Sequence, residues 1–192
     1  NKKNLLTFVT GGDPDLNTSF NIIKNLPNDG ADLIEIGMPF SDPMADGPTI
    51  QAASNRAIKK DTKLIDIFKI CEKFRKNNDN TPIVLMGYYN LIYFYGINNF
   101  VKSCKKYGVD GLIIVDLQPE EDPELLNAIK SSKIDLIRLI TPTTNIDRLK
   151  IILKNASGFL YYVTITGITG QDSANMKDLK KSIKNIKKYT SL

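Results

Sequence analysis

The sequence predicts an α/β fold in which parallel strands and helices alternate along one domain. Short apolar runs alternate with amphipathic segments over the 192 residues. Most of these runs are continuously apolar, which is typical of parallel strands covered on both faces. The runs begin near residues 5, 32, 82, 111, 135 and 158. Most of these intervals are about 25 residues, the length of one βα unit.

Six strands are predicted, and amphipathic helices separate them. The strands are Leu5–Thr10, Asp32–Gly37, Pro82–Tyr88, Gly111–Asp116, Asp135–Ile140 and Gly158–Thr164. Apolar residues at helical spacing mark the helices, in order around Phe20, Phe68, Phe100, Leu125 and Leu149, with a last helix over Met176–Tyr189. The longest interval, between the second and third strands, also contains an extra helical piece, Pro48–Lys59.

Serial βα units suit either a TIM barrel or an open doubly wound sheet. A dinucleotide-binding sheet would carry G-x-G-x-x-G after its first strand, whereas this strand ends in Thr10-Gly11-Gly12-Asp13-Pro14. The regular spacing, with polar residues gathered after the strands, favours the TIM (β/α)8 barrel. A complete barrel has eight strands in about 250 residues. We therefore expect residues 1–192 to form one partial barrel domain of about six βα units, lacking the region of strands 7 and 8.

Composition excludes several classes of function. The net charge is +5, but the lysines of residues 177–188 surround apolar residues at helical spacing, so they indicate a solvated helix face rather than a nucleic-acid site. The chain has no histidine and no Cys-x-x-Cys pair, which argues against structural zinc and a Cys–His nucleophile. No apolar run is long enough to span a membrane, and no secretory leader is visible. We expect a cytoplasmic protein in which Cys71 and Cys104 stay reduced.

The stretch EIGMPFSDPMADGP carries three carboxylates, Glu35, Asp42 and Asp46. Strand alternation places Glu35 opposite Ile34 and Ile36, so it points into the barrel if those isoleucines face the helices. Apolar walls would raise its pKa toward neutrality and suit it to acid–base catalysis. A solvated or lysine-paired glutamate at a strand edge is the alternative. Asp42 and Asp46 occupy a rigid proline-rich loop, where turn formation is the alternative, more strongly for Asp42.

Aromatic residues near three strand ends suggest a flat apolar ligand. They are Phe8, Tyr88 and Tyr161, near the ends of the first, third and sixth strands. The loop Thr166–Gly170 pairs glycines with threonines, which suits an oxyanion site or a closing lid. A flexible loop that binds nothing is the alternative there.

Five motifs resemble the tryptophan synthase alpha subunit family of indole-3-glycerol-phosphate lyases. They are FVTGGDPD, GADLIEIGMPFSDPMADGPTIQAA, PIVLMGYYN, GVDGLIIVDLQPEE and GFLYYVTITGITG, and together they extend along essentially the whole chain. The resemblance implies a TIM barrel that cleaves indole-3-glycerol phosphate to indole and glyceraldehyde 3-phosphate. It also implies a partner beta subunit in an alpha2beta2 assembly, and no cofactor except pyridoxal phosphate in that partner.

The resemblance also implies roles for individual residues. Glu35 matches the family's catalytic acid/base, and Asp46 matches the aspartate that stabilises the indole N–H and its cationic tautomer. Positions lining the substrate pocket or its closing loop match Phe8, Met86, Tyr88, Ile113, Val115, Tyr161, Thr169 and Gly170. Positions facing the beta subunit match Asp42, Pro43 and Asn90.

The family's main phosphate cradle comes from the region of strands 7 and 8, so we expect residues 1–192 alone to bind phosphate poorly and to be weakly stable and nearly inactive. Two other functions stay open. One is a stand-alone indole-releasing lyase without a beta partner, and the other is a non-catalytic interaction module. Intact Glu35 and Asp46 argue against the module, whereas Asp42 and Asn90 favour a partner.

Overall fold

A computed structural model describes residues 3–164 and 176–192. Six strands form one parallel sheet that curls into part of a barrel. The strands are β1 (Leu6–Thr10), β2 (Leu33–Gly37), β3 (Ile83–Gly87), β4 (Gly111–Ile114), β5 (Asp135–Ile140) and β6 (Leu160–Tyr162). They pair in chain order, each with the next. This order confirms the barrel and excludes the doubly wound sheet, whose strand order reverses at a switch point.

Eight helices lie among the described residues. They are α1 (Leu16–Asn25), α2 (Pro48–Lys59), α3 (Leu64–Arg75), α4 (Tyr89–Tyr95), α5 (Ile97–Tyr107), α6 (Pro123–Ile129), α7 (Ile146–Leu153) and α8 (Met176–Ile186). Asp15 caps α1 by accepting the Thr18 N–H at 2.9 Å, and Asn145 caps α7 in the same way. None of these helices is long and apolar enough to cross a membrane.

The predicted strand ends need correction at three places. Tyr88 was predicted as strand but lies just before α4, a helix that the sequence pattern did not reveal. Four of the seven residues of α4 are aromatic, a type common in strands, which explains the error. Asp116 also lies beyond its strand, because β4 ends at Ile114. Strand β6 is the short segment Leu160–Tyr162 rather than Gly158–Thr164.

Strand alternation divides the core into two layers. Alternate residues such as Ile34, Ile36, Leu85 and Leu112 belong to the large buried cluster shared with α1, α3 and α5. The residues between them face the barrel interior, where Val84, Ile113 and Ile137 are buried together with Leu33, Met86, Val115, Leu139, Phe159 and Tyr161. The polar side chains of the interior are therefore held on an apolar floor.

Two arginines with buried partners support the loops outside this floor. Arg138 in β5 forms a buried ion pair with Asp122, the residue before α6, and donates to the Leu117 carbonyl oxygen at 3.2 Å. Burial lowers the pKa of Arg138 to about 10. Arg75 donates to the carbonyl oxygens of Gly108 and Thr81 at 2.8 and 2.9 Å. The sequence analysis predicted neither contact.

Candidate active site

Glu35 lies in the middle of β2 on the interior side of the sheet. Phe8 of β1 and Val84 of β3 are its neighbours in register. Only 3% of the residue is exposed, and this burial raises the pKa of its carboxyl from 4.5 to about 7. Desolvation disfavours the charged form, so protonated and ionised Glu35 have similar populations near neutral pH. The prediction of a buried carboxyl with a raised pKa is confirmed.

Tyr161 of β6 faces the same interior. Burial is the main cause of its raised pKa, and the negative charge of Glu35 raises it further. Electrostatic coupling between β2 and β6 fits strands that approach each other across the barrel rather than along the sheet. Tyr161 and Glu35 therefore belong to one cluster, although they are distant in sequence.

Asp46 lies in the β2–α2 loop, residues 38–47. Pro48 opens α2 immediately after this loop, as predicted. The Gln51 side-chain amide donates to the Asp46 carbonyl oxygen at 2.8 Å and ties the loop to the first turn of the helix. Partial burial raises the pKa of the Asp46 carboxyl, while a hydrogen bond with the Tyr88 side chain acts in the opposite direction.

Tyr88 connects this loop to the end of β3. Its ring is buried and stacks on Phe40, with ring centroids 5.2 Å apart. Its hydroxyl accepts the Ala45 N–H at 2.9 Å and also hydrogen-bonds the Asp46 carboxyl. Burial is the main reason that the pKa of Tyr88 rises to about 12. The hydroxyl therefore keeps its proton at neutral pH and remains a donor to Asp46.

A cleft between the strand ends and α2 brings together five of the predicted site residues. Phe8, Asp46, Met86, Tyr88 and Val115 line it. Its lining also includes Thr10, Gly37, Met38, Ile50, Ser54 and Gly87, which the sequence analysis did not propose. Thr10, Gly37 and Gly87 end or nearly end predicted strands, and Ile50 and Ser54 are one helical turn apart. Those two signals could have identified them.

Gly37 is required beside Phe8. A Cβ atom at this position would lie 2.6 Å from Cζ of the Phe8 ring. Glycine thus lets the ring lie across the end of β2, where it forms one wall of the cleft.

The other predicted residues lie in three places. Ile113 and Tyr161 belong to the apolar interior cluster and do not line the cleft itself. Asp42 and Asn90 are exposed and Pro43 is half-buried; Asp42 and Pro43 lie in the β2–α2 loop, and Asn90 lies in the first turn of α4. Thr169 and Gly170 lie outside the described residues. Within the described ranges, no three acidic or cysteine side chains cluster closely enough to hold a metal ion.

Comparison with known proteins identifies the family. The family model for the tryptophan synthase alpha chain matches residues 1–192. The chain belongs to the tryptophan synthase alpha chain family. As a member of that family it is a lyase of tryptophan biosynthesis, and its fold is that of a TIM barrel.

Three solved structures illustrate the similarity. The tryptophan synthase subunit alpha of Legionella pneumophila str. Paris is 36% identical with a TM-score of 0.91, and the match covers 100% of this chain and 70% of that one. A chain of the tryptophan synthase a2b2 complex of Pyrococcus furiosus is 38% identical with a TM-score of 0.87, covering 98% and 75%. Tryptophan synthase of Mycobacterium tuberculosis is 29% identical with a TM-score of 0.91, covering 100% and 72%.

Proposed function

We propose that this protein cleaves indole-3-glycerol phosphate to indole and glyceraldehyde 3-phosphate. The observation that carries the proposal is the pair of carboxyls, Glu35 and Asp46, in different environments beside one aromatic cleft. Glu35 is almost completely buried with a pKa of about 7, whereas Asp46 is half-buried in the adjacent loop and held by Tyr88. The family assignment supports the substrate.

The two carboxyls suit the two charges that develop in this cleavage. Protonation of the indole ring at C3 creates a cation, and protonated Glu35 supplies that proton. The Asp46 carboxylate stabilises the positive charge near the ring N–H. Ionised Glu35 then removes the glycerol hydroxyl proton. The bond between C3 and the glycerol carbon breaks, its electrons restore the aromatic ring, and the hydroxyl carbon becomes the aldehyde. A pKa near 7 lets Glu35 both give and take a proton at neutral pH.

The side chains around the cleft suit an indole ring. Phe8, Met86 and Val115 offer apolar walls, and the buried Tyr88 ring closes one side. Flat apolar ligands bind well in such clefts when a few polar groups fix their orientation. We propose that this chain needs no cofactor for the cleavage and that pyridoxal phosphate belongs to the beta subunit.

We also propose a beta subunit as the partner, in an alpha2beta2 assembly. The similar Pyrococcus furiosus chain belongs to a tryptophan synthase a2b2 complex. Near the predicted partner-facing residues, Met44 is 82% exposed, Tyr93 is 67% exposed and Phe94 is 93% exposed. Large apolar side chains exposed together commonly mark protein interfaces. This patch favours a partnered lyase over the stand-alone enzyme.

Indole release from indole-3-glycerol phosphate by the full-length protein tests the reaction. We expect Glu35→Gln to abolish measurable release, because an amide cannot transfer the proton. Asp42→Asn is the matched control, since Asp42 lies in the same stretch but outside the cleft. It should keep wild-type cleavage. Wild-type activity in Glu35→Gln would reject Glu35 as the acid/base. Co-purification with a beta subunit separates the partnered enzyme from the stand-alone one, and absence of lyase activity despite co-purification would favour the interaction module.

A further inference from the structure

The helix that follows Tyr88 receives its cap from a distant residue. Helix α4 begins at Tyr89, and Tyr88 provides no side-chain cap. The first N–H groups of a helix have no partner within the helix and need one from outside. The Tyr89 N–H donates to Oδ1 of Asp116 at 2.8 Å, across 27 residues of chain. The cap therefore comes from the residue that follows Val115 at the end of the neighbouring strand.

The same neighbour holds the backbone on the other side of Tyr88. The Val115 N–H donates to the Gly87 carbonyl oxygen at 3.0 Å and extends the pairing of β3 with β4. Gly87 and Tyr89 are thus both bonded to the Val115–Asp116 segment. Tyr88 is the single residue between these two anchored points, so its backbone cannot rotate without breaking one of the bonds.

A fixed Tyr88 backbone determines where its hydroxyl lies. That hydroxyl accepts the Ala45 N–H at 2.9 Å and hydrogen-bonds the Asp46 carboxyl. Resting on the proposed function, we propose that Asp116 is a positioning residue for the lyase reaction. It fixes Tyr88 through the Tyr89 N–H, and Tyr88 in turn holds the Asp46 carboxylate at the cleft. Asp116 itself does not line the cleft.

A double-mutant cycle in the full-length protein tests this connection. We expect Asp116→Ala to lower kcat for indole release about tenfold, below the roughly hundredfold cost of a misplaced catalytic group, with KM within about twofold. Asp116→Asn should stay within about twofold of wild type, because the amide oxygen accepts the same hydrogen bond. In a Tyr88→Phe background, Asp116→Ala should cost less than about twofold, because the hydroxyl that Asp116 positions is already absent.

Asp15→Ala is the matched control. Asp15 also caps a helix, accepting the Thr18 N–H at 2.9 Å, but it lies outside the cleft. This variant should lower the melting temperature and leave kcat unchanged. Asp116→Ser, whose side chain is too short to replace the carboxylate, provides a second truncation if Asp116→Ala does not fold, with the same expected loss.

Two results would overturn the positioning role. One is a tenfold loss that persists in the Tyr88→Phe background, and the other is an equal loss in Asp116→Asn. Either result, with Glu35→Gln inactive, rejects the inference about Asp116 and leaves the lyase function standing. Wild-type activity in Glu35→Gln rejects the proposed function instead, whatever the cycle shows.

Discussion

Burial of Glu35 should make the stability of the protein depend on pH. The carboxyl has a pKa of about 7 in the folded protein, against an ordinary value of 4.5. Between these values the folded state binds more protons than the unfolded state, so the free energy of unfolding falls as pH rises. At 1.36 kcal/mol per pKa unit, ionised Glu35 costs the folded protein about 3 kcal/mol above pH 7. Below pH 4.5 that cost is absent.

Glu35→Gln isolates this effect, because the amide has nearly the same shape and does not titrate. We expect the variant to be more stable than wild type at pH 8, by up to about 3 kcal/mol, and by much less at pH 5. Other ionisable groups are common to both proteins and cancel in the difference. The same variant should have lost indole release, so the catalytic carboxyl would be maintained at the expense of stability.

Urea unfolding of both full-length proteins at pH 5 and pH 8 provides the measurement. The midpoints yield the stability difference if the denaturant slopes agree. A stability difference that is the same at the two pH values would refute the reasoning, since it would mean that Glu35 ionises in the folded protein as easily as in the unfolded chain.

Three further predictions concern the loop, the exposed patch and the buried ion pair. Asp46→Asn should lower kcat for indole release at least about a hundredfold, and a small change would reject Asp46 as the charge-stabilising group. Phe94→Ser, at a 93% exposed position, should weaken beta-subunit binding about tenfold in calorimetry while indole release by the free protein stays unchanged; equal binding would exclude Phe94 from the interface. Arg138→Met should lower the free energy of unfolding by about 3–5 kcal/mol, because it leaves Asp122 buried and unpaired, and adding Asp122→Leu should recover most of that loss in urea titrations. No recovery in the double variant would mean that the pair contributes through packing rather than charge.

The sequence was most informative where a residue's side of the strand depends only on alternation. Ile34 and Ile36 face the helices, so Glu35 had to face the interior, and its burial and raised pKa follow from that placement. Helix α4 escaped prediction because its aromatic residues also suit strands, and local preference could not decide between the two. The function of the strand-end aromatics was less clear, since Tyr161 belongs to the interior cluster whereas Tyr88 lines the cleft.

By itself, the sequence determined the serial βα architecture, the inward direction of Glu35 and the family. These depend on patterns within short stretches of chain and on residue identity at matching positions. Only the tertiary structure decided which residues act together. The Tyr88 contact with Asp46, the Asp116 bond to Tyr89 and the Asp122 pair with Arg138 each join segments distant along the chain. A hydrogen bond depends on distances of a few tenths of an ångström, and those are set by how strands and helices pack.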